Sequence, residues 1–122
     1  MPGRILIVDD SAFMRRTLRK ILEKAGFEVI GEAADGGTAI EKYKELKPDV
    51  VTMDITMPGI NGIETVKNIL AINDKARIIM CSAIGQQGII IEALQAGAKE
   101  YLIKPFRESL VIETINKVMR TY

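Results

Sequence analysis

The sequence predicts an α/β fold, a parallel five-stranded sheet covered by helices on both faces. Three observations predict it. Five short apolar runs rich in β-branched residues alternate with five segments of helical spacing. Several of the runs are continuous rather than alternating, as a strand buried on both faces requires. The connections are short, with no linker, low-complexity stretch or second core between them.

The first run, Arg4–Asp9, holds Ile5-Leu6-Ile7-Val8 without a polar interruption. Behind it Met14, Leu18, Ile21, Leu22 and Ala25 share one helical face, and Gly26 is placed to end that helix. Phe27–Ala33 is the second strand. Its helix carries Ile40, Tyr43 and Leu46 and is closed by Pro48. Asp49–Asp54, with Val50, Val51 and Met53, is the third strand, followed by a stripe of Ile63, Val66 and Leu70. Arg77–Ser82 is built around Ile78-Ile79-Met80 and leads into a helix with Ile90 and Leu94 that ends at Gly97. Glu100–Lys104 completes the sheet, and Val111, Ile115, Val118 and Met119 mark the last helix. Residues 1–122 thus read as one domain, a size that removes roughly two thirds of the unfolded chain's surface from water.

Composition excludes several chemistries. There is no histidine, so neither a Ser-His-Asp set, a histidine-ligated metal nor an internal phosphohistidine is possible. Cys81 is the only cysteine, which rules out an internal disulfide and a thiolate zinc site and fits a reducing compartment. With 17 basic against 16 acidic side chains, the chain lacks the charge footprint of a nucleic-acid binder. No apolar stretch is long enough for a signal peptide or a membrane helix, so a cytoplasmic protein without membrane insertion is expected.

In open α/β sheets, function gathers at the carboxyl ends of the strands. Reading the residue that closes each run puts Asp9 and Asp10, Asp54, Ser82 and Lys104 on one rim. Three carboxylates there repel one another, which favours a bound cation or a raised pKa.

At this point the sequence resembles the receiver domains of two-component response regulators. The segments that carry the resemblance are ILIVDD, VVTMDITMPGINGIE, MCSA and YLIKPF, in family order and spacing. Thr52 to Glu64 and Cys81-Ser82-Ala83 are most similar to stand-alone chemotaxis regulators. The resemblance implies a flavodoxin-like (βα)5 fold with strand order 2-1-3-4-5. It implies that Asp54 is the phosphoacceptor and that Asp9, Asp10, Asp54 and the backbone carbonyl of Thr56 hold Mg2+, Asp9 at least partly through water. Lys104 would contact the incoming phosphoryl group, Ser82 would hydrogen-bond it after transfer, and Lys104-Pro105 would be cis. Tyr101 matches the aromatic position whose rotamer follows the hydroxyl residue.

The chemistry is consistent with those roles. Magnesium prefers oxygen ligands between carboxylates and phosphate, a carboxylate can form an aspartyl phosphate, and cations must offset the charge that accumulates. The implied function is a phosphorylation-dependent switch, not an enzyme acting on external substrates. Its implied partners are a histidine kinase, an output protein such as the flagellar motor switch and, depending on the lifetime of the phosphorylated state, a phosphatase. A monomer is expected, with output in trans because no effector domain follows Tyr122. A phosphorelay intermediate and an isolated receiver of a larger regulator are the alternatives within the family. A phosphohydrolase of the haloacid dehalogenase type is disfavoured by adjacent Asp9-Asp10 and by Asp54-Ile55-Thr56, which lacks a second carboxylate. A flavin binder is disfavoured because no Ser/Thr/Gly-rich phosphate loop follows Val8.

Each residue also has a plainer reading. Ser11 or Asp10 can cap the first helix. Asp54 can be a strand end before a turn at Met57-Pro58-Gly59, Lys104 a solvated lysine, Ser82 a small residue at a tight strand end, and Tyr101 a half-buried strand tyrosine. Arg15, Arg16, Arg19 and Lys20 read as a solvated helix face, and Cys81 as apolar filler. One helical face cannot bury all of Ile89, Ile90 and Ile91, so at least one should lie outside the core stripe. Two positions depart from the family pattern: Ile84 stands where a polar or acidic side chain is frequent, and Thr56 replaces a frequent asparagine.

Overall fold

A computed structural model describes residues 3–57 and 59–122. Its elements are β1 Arg4–Val8, α1 Ala12–Lys24, β2 Glu28–Ala33, α2 Gly36–Leu46, β3 Val50–Asp54, α3 Gly62–Ile72, β4 Ile78–Ser82, α4 Gln87–Ala96, β5 Glu100–Ile103 and α5 Glu108–Thr121. The strands form one sheet in the order β2-β1-β3-β4-β5, and every neighbouring pair is parallel. The expected five strand–helix units and their order are therefore observed. The turn expected at Met57-Pro58-Gly59 has its proline outside the described residues, while Gly59 takes a left-handed φ of 75°.

Period-two alternation splits the sheet residues between two cores. Leu6, Val8, Val51, Met53, Ile78 and Met80 pack against α2, α3 and α4 through Tyr43, Val66, Ile69, Ile90 and Ala93. Ile5, Ile7, Val50, Ile79, Cys81 and Leu102 face α1 and α5 through Leu18, Leu22, Val111, Ile115 and Val118. All residues of β3 and β4 are buried, whereas only Leu102 of β5 is. Central strands are covered on both faces, and an edge strand is not, which explains why continuous apolar runs marked the centre.

Small differences from the sequence reading have local causes. β1 and β5 stop one residue short of Asp9 and Lys104, although the Asp9 N–H still donates to the Ala33 carbonyl at 3.0 Å and the Lys104 N–H to the Ser82 carbonyl at 2.8 Å. Ala25 is an exposed C-cap residue rather than part of the α1 stripe. In α3, Ile69 is fully buried and Leu70 only partly. Arg15 and Arg19 are not free on a solvated face: their Nε atoms donate to the two carboxylate oxygens of Glu32 on β2, at 2.9 and 2.8 Å. Burial of Glu32 works against its charge, yet these hydrogen bonds outweigh it and hold the carboxyl below its ordinary pKa.

Candidate functional site

β1 delivers Asp9 and Asp10 to the carboxyl edge of the sheet, β3 delivers Asp54, and the loop after β5 delivers Lys104. Asp9 and Asp54 are buried and Asp10 is exposed, and one oxygen from each lies within 4.8 Å of the others. Lys104 Nζ pairs with Asp9 Oδ2 at 2.8 Å and with Asp54 Oδ1 at 3.4 Å. The other oxygen of Asp9 accepts the Ser11 N–H at 2.9 Å. Both Asp9 oxygens are thus engaged within the protein, while Asp10 presents a carboxylate to the outside.

The local folding explains why these side chains hold still. Ser11 Oγ accepts the Met14 N–H at 3.2 Å and caps α1, so the cap is Ser11 and Asp10 is left free for other work. Arg15 Nη1 donates to the Asp9 carbonyl at 2.7 Å, so the arginine anchored on Glu32 also fixes the backbone of the acidic pair. Gly62 opens α3 against the backbone of Asp54 and Ile55. Any β-carbon on Gly62 would overlap the Asp54 carbonyl oxygen and sit 2.9 Å from Ile55 Cα. Lys104-Pro105 is cis, as expected.

The electrostatics follow from crowding. Burial and the neighbouring Asp9 push the Asp54 carboxyl up to about 6, against the pull of Lys104. Lys104 is held above its ordinary value: burial opposes its charge, but the hydrogen bond to Asp9 and the field of Asp54 prevail. The Asp54 carboxyl is raised because one ammonium does not neutralise three carboxylates in a partly buried site. That residual negative charge on hard oxygen donors fits a divalent cation such as Mg2+.

Ser82 sits at the end of β4, fully buried, and its Oγ has no hydrogen-bond partner among the described residues. A buried hydroxyl without a partner is costly, and here it lies one residue beyond the Asp54–Cys81 register pair. Thr56 is exposed, and its hydroxyl accepts from Gln86 Nε2 at 3.3 Å. Tyr101 is not part of the acidic cluster. It stands half-exposed on β5, beside a groove of about 360 Å³ lined by Gln87, Ile90, Ile91, Leu94 and Ile103. Of the three consecutive isoleucines, only Ile90 is buried, and Ile91 is 56% exposed. Cys81 is buried, and desolvation drives its thiol up to about 12, in agreement with its reading as filler.

Sequence reasoning missed three contributors. Arg15 was misread because its partner Glu32 lies 17 residues away, on β2. Gly62 carried no signal beyond its place in the VVTMDITMPGINGIE segment. Gln86 carried none at all, since a glutamine between a strand and a helix is chemically unremarkable in a sequence.

The family model described as the response regulator receiver domain matches residues 5–116. The chain is 59% identical over 120 residues to the chemotaxis protein CheY of Thermotoga maritima, covering 98% of this chain and 100% of that protein. It is 58% identical over 119 residues to the chemotaxis protein CheY of Bacillus subtilis, covering 98% and 99% respectively. Among solved structures, a CheX–CheY–BeF3–Mg2+ complex from Borrelia burgdorferi superimposes with a TM-score of 0.92 at 40% identity, over 97% of this chain and 90% of that one.

Proposed function

Because this chain belongs to the response regulator receiver domain family, we propose that it is a phosphorylation-activated switch of chemotaxis that accepts a phosphoryl group on Asp54 from a partner's phosphohistidine. The observation that carries the reading is the cluster itself: three carboxylates within 4.8 Å, two of them bridged by Lys104. A carboxylate oxygen of Asp54 attacks phosphorus, the phosphorus–nitrogen bond of the donor breaks, and its electron pair leaves with the imidazole. Lys104, poised between Asp9 and Asp54, offsets the charge that accumulates on the transferring oxygens. Ser82 Oγ then donates to the phosphoryl group, which supplies the partner that the buried hydroxyl lacks among the described residues.

Asp10, Asp54 and the Thr56 carbonyl would hold Mg2+ directly, with Asp9 acting through water because its own oxygens already serve Ser11 and Lys104. Bound there, Mg2+ supplies charge neutralisation between the carboxylate and the phosphoryl oxygens. The chain takes part chemically only in its own phosphorylation and dephosphorylation. Its other partners would be a chemotaxis histidine kinase, a phosphatase, and an output protein of the motor-switch kind, met in the cytoplasm.

The output surface in this reading is the face of α4, β5 and α5, where Ile91, Tyr101 and Leu110 are exposed. Ser82 pairs in register with Ile103, two residues from Tyr101, so a shift at the hydroxyl reaches the groove beside the ring within one strand. Reversing an inactive-to-active ratio from 1:99 to 99:1 takes about 5.5 kcal/mol. New charge-assisted hydrogen bonds to Ser82 and Lys104 are of the right order to supply much of it.

Incubation with acetyl phosphate, with and without Mg2+, followed by intact mass measurement tests the site. One phosphoryl addition that requires Mg2+ and vanishes in Asp54→Ala is expected. Modification that survives in Asp54→Ala, or proceeds equally in chelator, refutes it.

A further inference from the structure

We propose that Gln86 is a latch that ties together the two loops flanking Asp54 and must release its hold when Asp54 is phosphorylated. Gln86 precedes the first residue of α4, yet it makes no capping hydrogen bond to its own helix. Its side-chain amide turns back instead. Oε1 accepts the Ala83 N–H at 2.8 Å, and Nε2 donates to Thr56 Oγ1 at 3.3 Å. One neutral side chain thereby joins the loop after β4 to the loop after β3.

Those loops form the mouth of the site. Asp54 pairs in register with Cys81, and the Ile55 N–H donates to the Cys81 carbonyl at 3.1 Å. The next residues outward are Ser82 and Ala83 on one side and Thr56 on the other. A phosphoryl group on Asp54 calls for donors, and the Ala83 N–H directly follows the buried Ser82 hydroxyl, which has no partner among the described residues. An anionic oxygen accepts a hydrogen bond roughly twice as strong as a neutral amide oxygen does. The phosphoryl group therefore displaces Gln86 Oε1 from Ala83, and the tie to Thr56 loses its anchor.

The segment is built to give way. Gly85, next to the latch, adopts φ 95° with open space where a β-carbon would stand. Beyond it lies the first turn of α4, with Gln87 lining the same groove as Tyr101. Opening the latch frees that turn, and this couples the acidic site to the groove. In the resting state the latch also opposes phosphorylation, because two hydrogen bonds must be exchanged. Gln86 is a positioning residue in this scheme and touches no reacting atom.

The inference rests on Asp54 being the phosphoacceptor. It is tested by titrating the 15N-labelled protein with beryllium fluoride in Mg2+, comparing wild type, Gln86→Ala, Gln86→Met, Asp54→Asn and the exposed helix control Gln95→Ala. The methionine variant keeps the length of the side chain without its amide. In both Gln86 variants the Ala83 amide proton should move upfield before any beryllium fluoride is added, as expected on losing its acceptor. Their apparent affinity for beryllium fluoride should then rise about three- to tenfold, the range of one net hydrogen bond, while Gln95→Ala matches wild type. An unmoved Ala83 resonance, or an affinity unchanged or lowered, overturns the latch. If wild type fails to respond at all, or Asp54→Asn responds equally, the phosphoacceptor reading falls and the latch falls with it.

Discussion

Burial, together with the excess negative charge at the acidic rim, should make Asp54 a destabilising residue in the metal-free protein. Its carboxyl is raised from 3.8 to about 6, first by burial and then by the field of Asp9. A tenfold change in proton affinity corresponds to about 1.4 kcal/mol, so ionised Asp54 carries a penalty of up to about 3 kcal/mol in the folded state. The sign follows from proton counting. Between pH 3.8 and about 6 the folded state holds a proton on Asp54 that the unfolded chain has already released. Stability from this group is therefore lost as pH rises through that window, and the full penalty stands above it.

Asp54→Asn removes the charge at nearly constant volume. Partial relaxation around the amide should leave a gain of about 2 kcal/mol at pH 7.5 in chelator, or roughly 6–10 °C in Tm for a domain of this size. The gain should shrink below pH 6 and nearly disappear by pH 4, taken as the difference between variant and wild type so that other carboxylates cancel. Mg2+ should narrow it from the other side, since a ligand at ten times its Kd stabilises wild type by about 1.4 kcal/mol. Far-UV circular dichroism suits the melts, because the chain has no tryptophan. A variant no more stable than wild type at pH 7.5 in chelator, or a gain equally large at pH 4, would refute the charge argument.

Other perturbations probe the scaffold. Gly62→Ala forces a β-carbon into the Asp54 carbonyl and the Ile55 backbone; overpacking against backbone should destabilise by about 1–3 kcal/mol in urea unfolding and slow phosphorylation by acetyl phosphate. Glu32→Gln releases Arg15 and Arg19 and should cost about 1 kcal/mol at neutral pH. Because the Glu32 carboxyl is held below its ordinary pKa, that difference should be present above the unfolded chain's pKa and fade as pH falls through the folded one. Cys81, buried and pushed up to about 12, should stay unreactive toward a thiol reagent in the native state and react at once in denaturant, as absorbance titration will show.

Much of the site was legible because strand ends are chemically conspicuous. An apolar run such as Ile5 to Val8 that closes on Asp9 and Asp10 marks both a buried strand and the rim where it stops. The same logic located Asp54, Ser82 and Lys104, and the continuous runs identified the sheet centre. The solvated reading of the basic face holds for Arg16 and Lys20, which are exposed, and fails for Arg15 and Arg19 for a different reason. Arg15 and Arg19 do lie on an outward face of α1, but β2 brings Glu32 alongside them, and no local pattern encodes that approach.

The sequence by itself determined the alternation of elements, most of the apolar stripes that the helices bury and the residue types that reach the rim. Those properties depend on spacing along one chain, which hydrophobic periodicity and turn chemistry record directly. Only the tertiary structure decided which groups became partners. Lys104 between Asp9 and Asp54, Arg15 on the Asp9 carbonyl and Gln86 across two loops all join segments separated by other elements. Such contacts follow from strand order and register, which set distances through space rather than along the chain. The charge on the rim was readable in advance; how the protein holds that charge depended on the packed sheet.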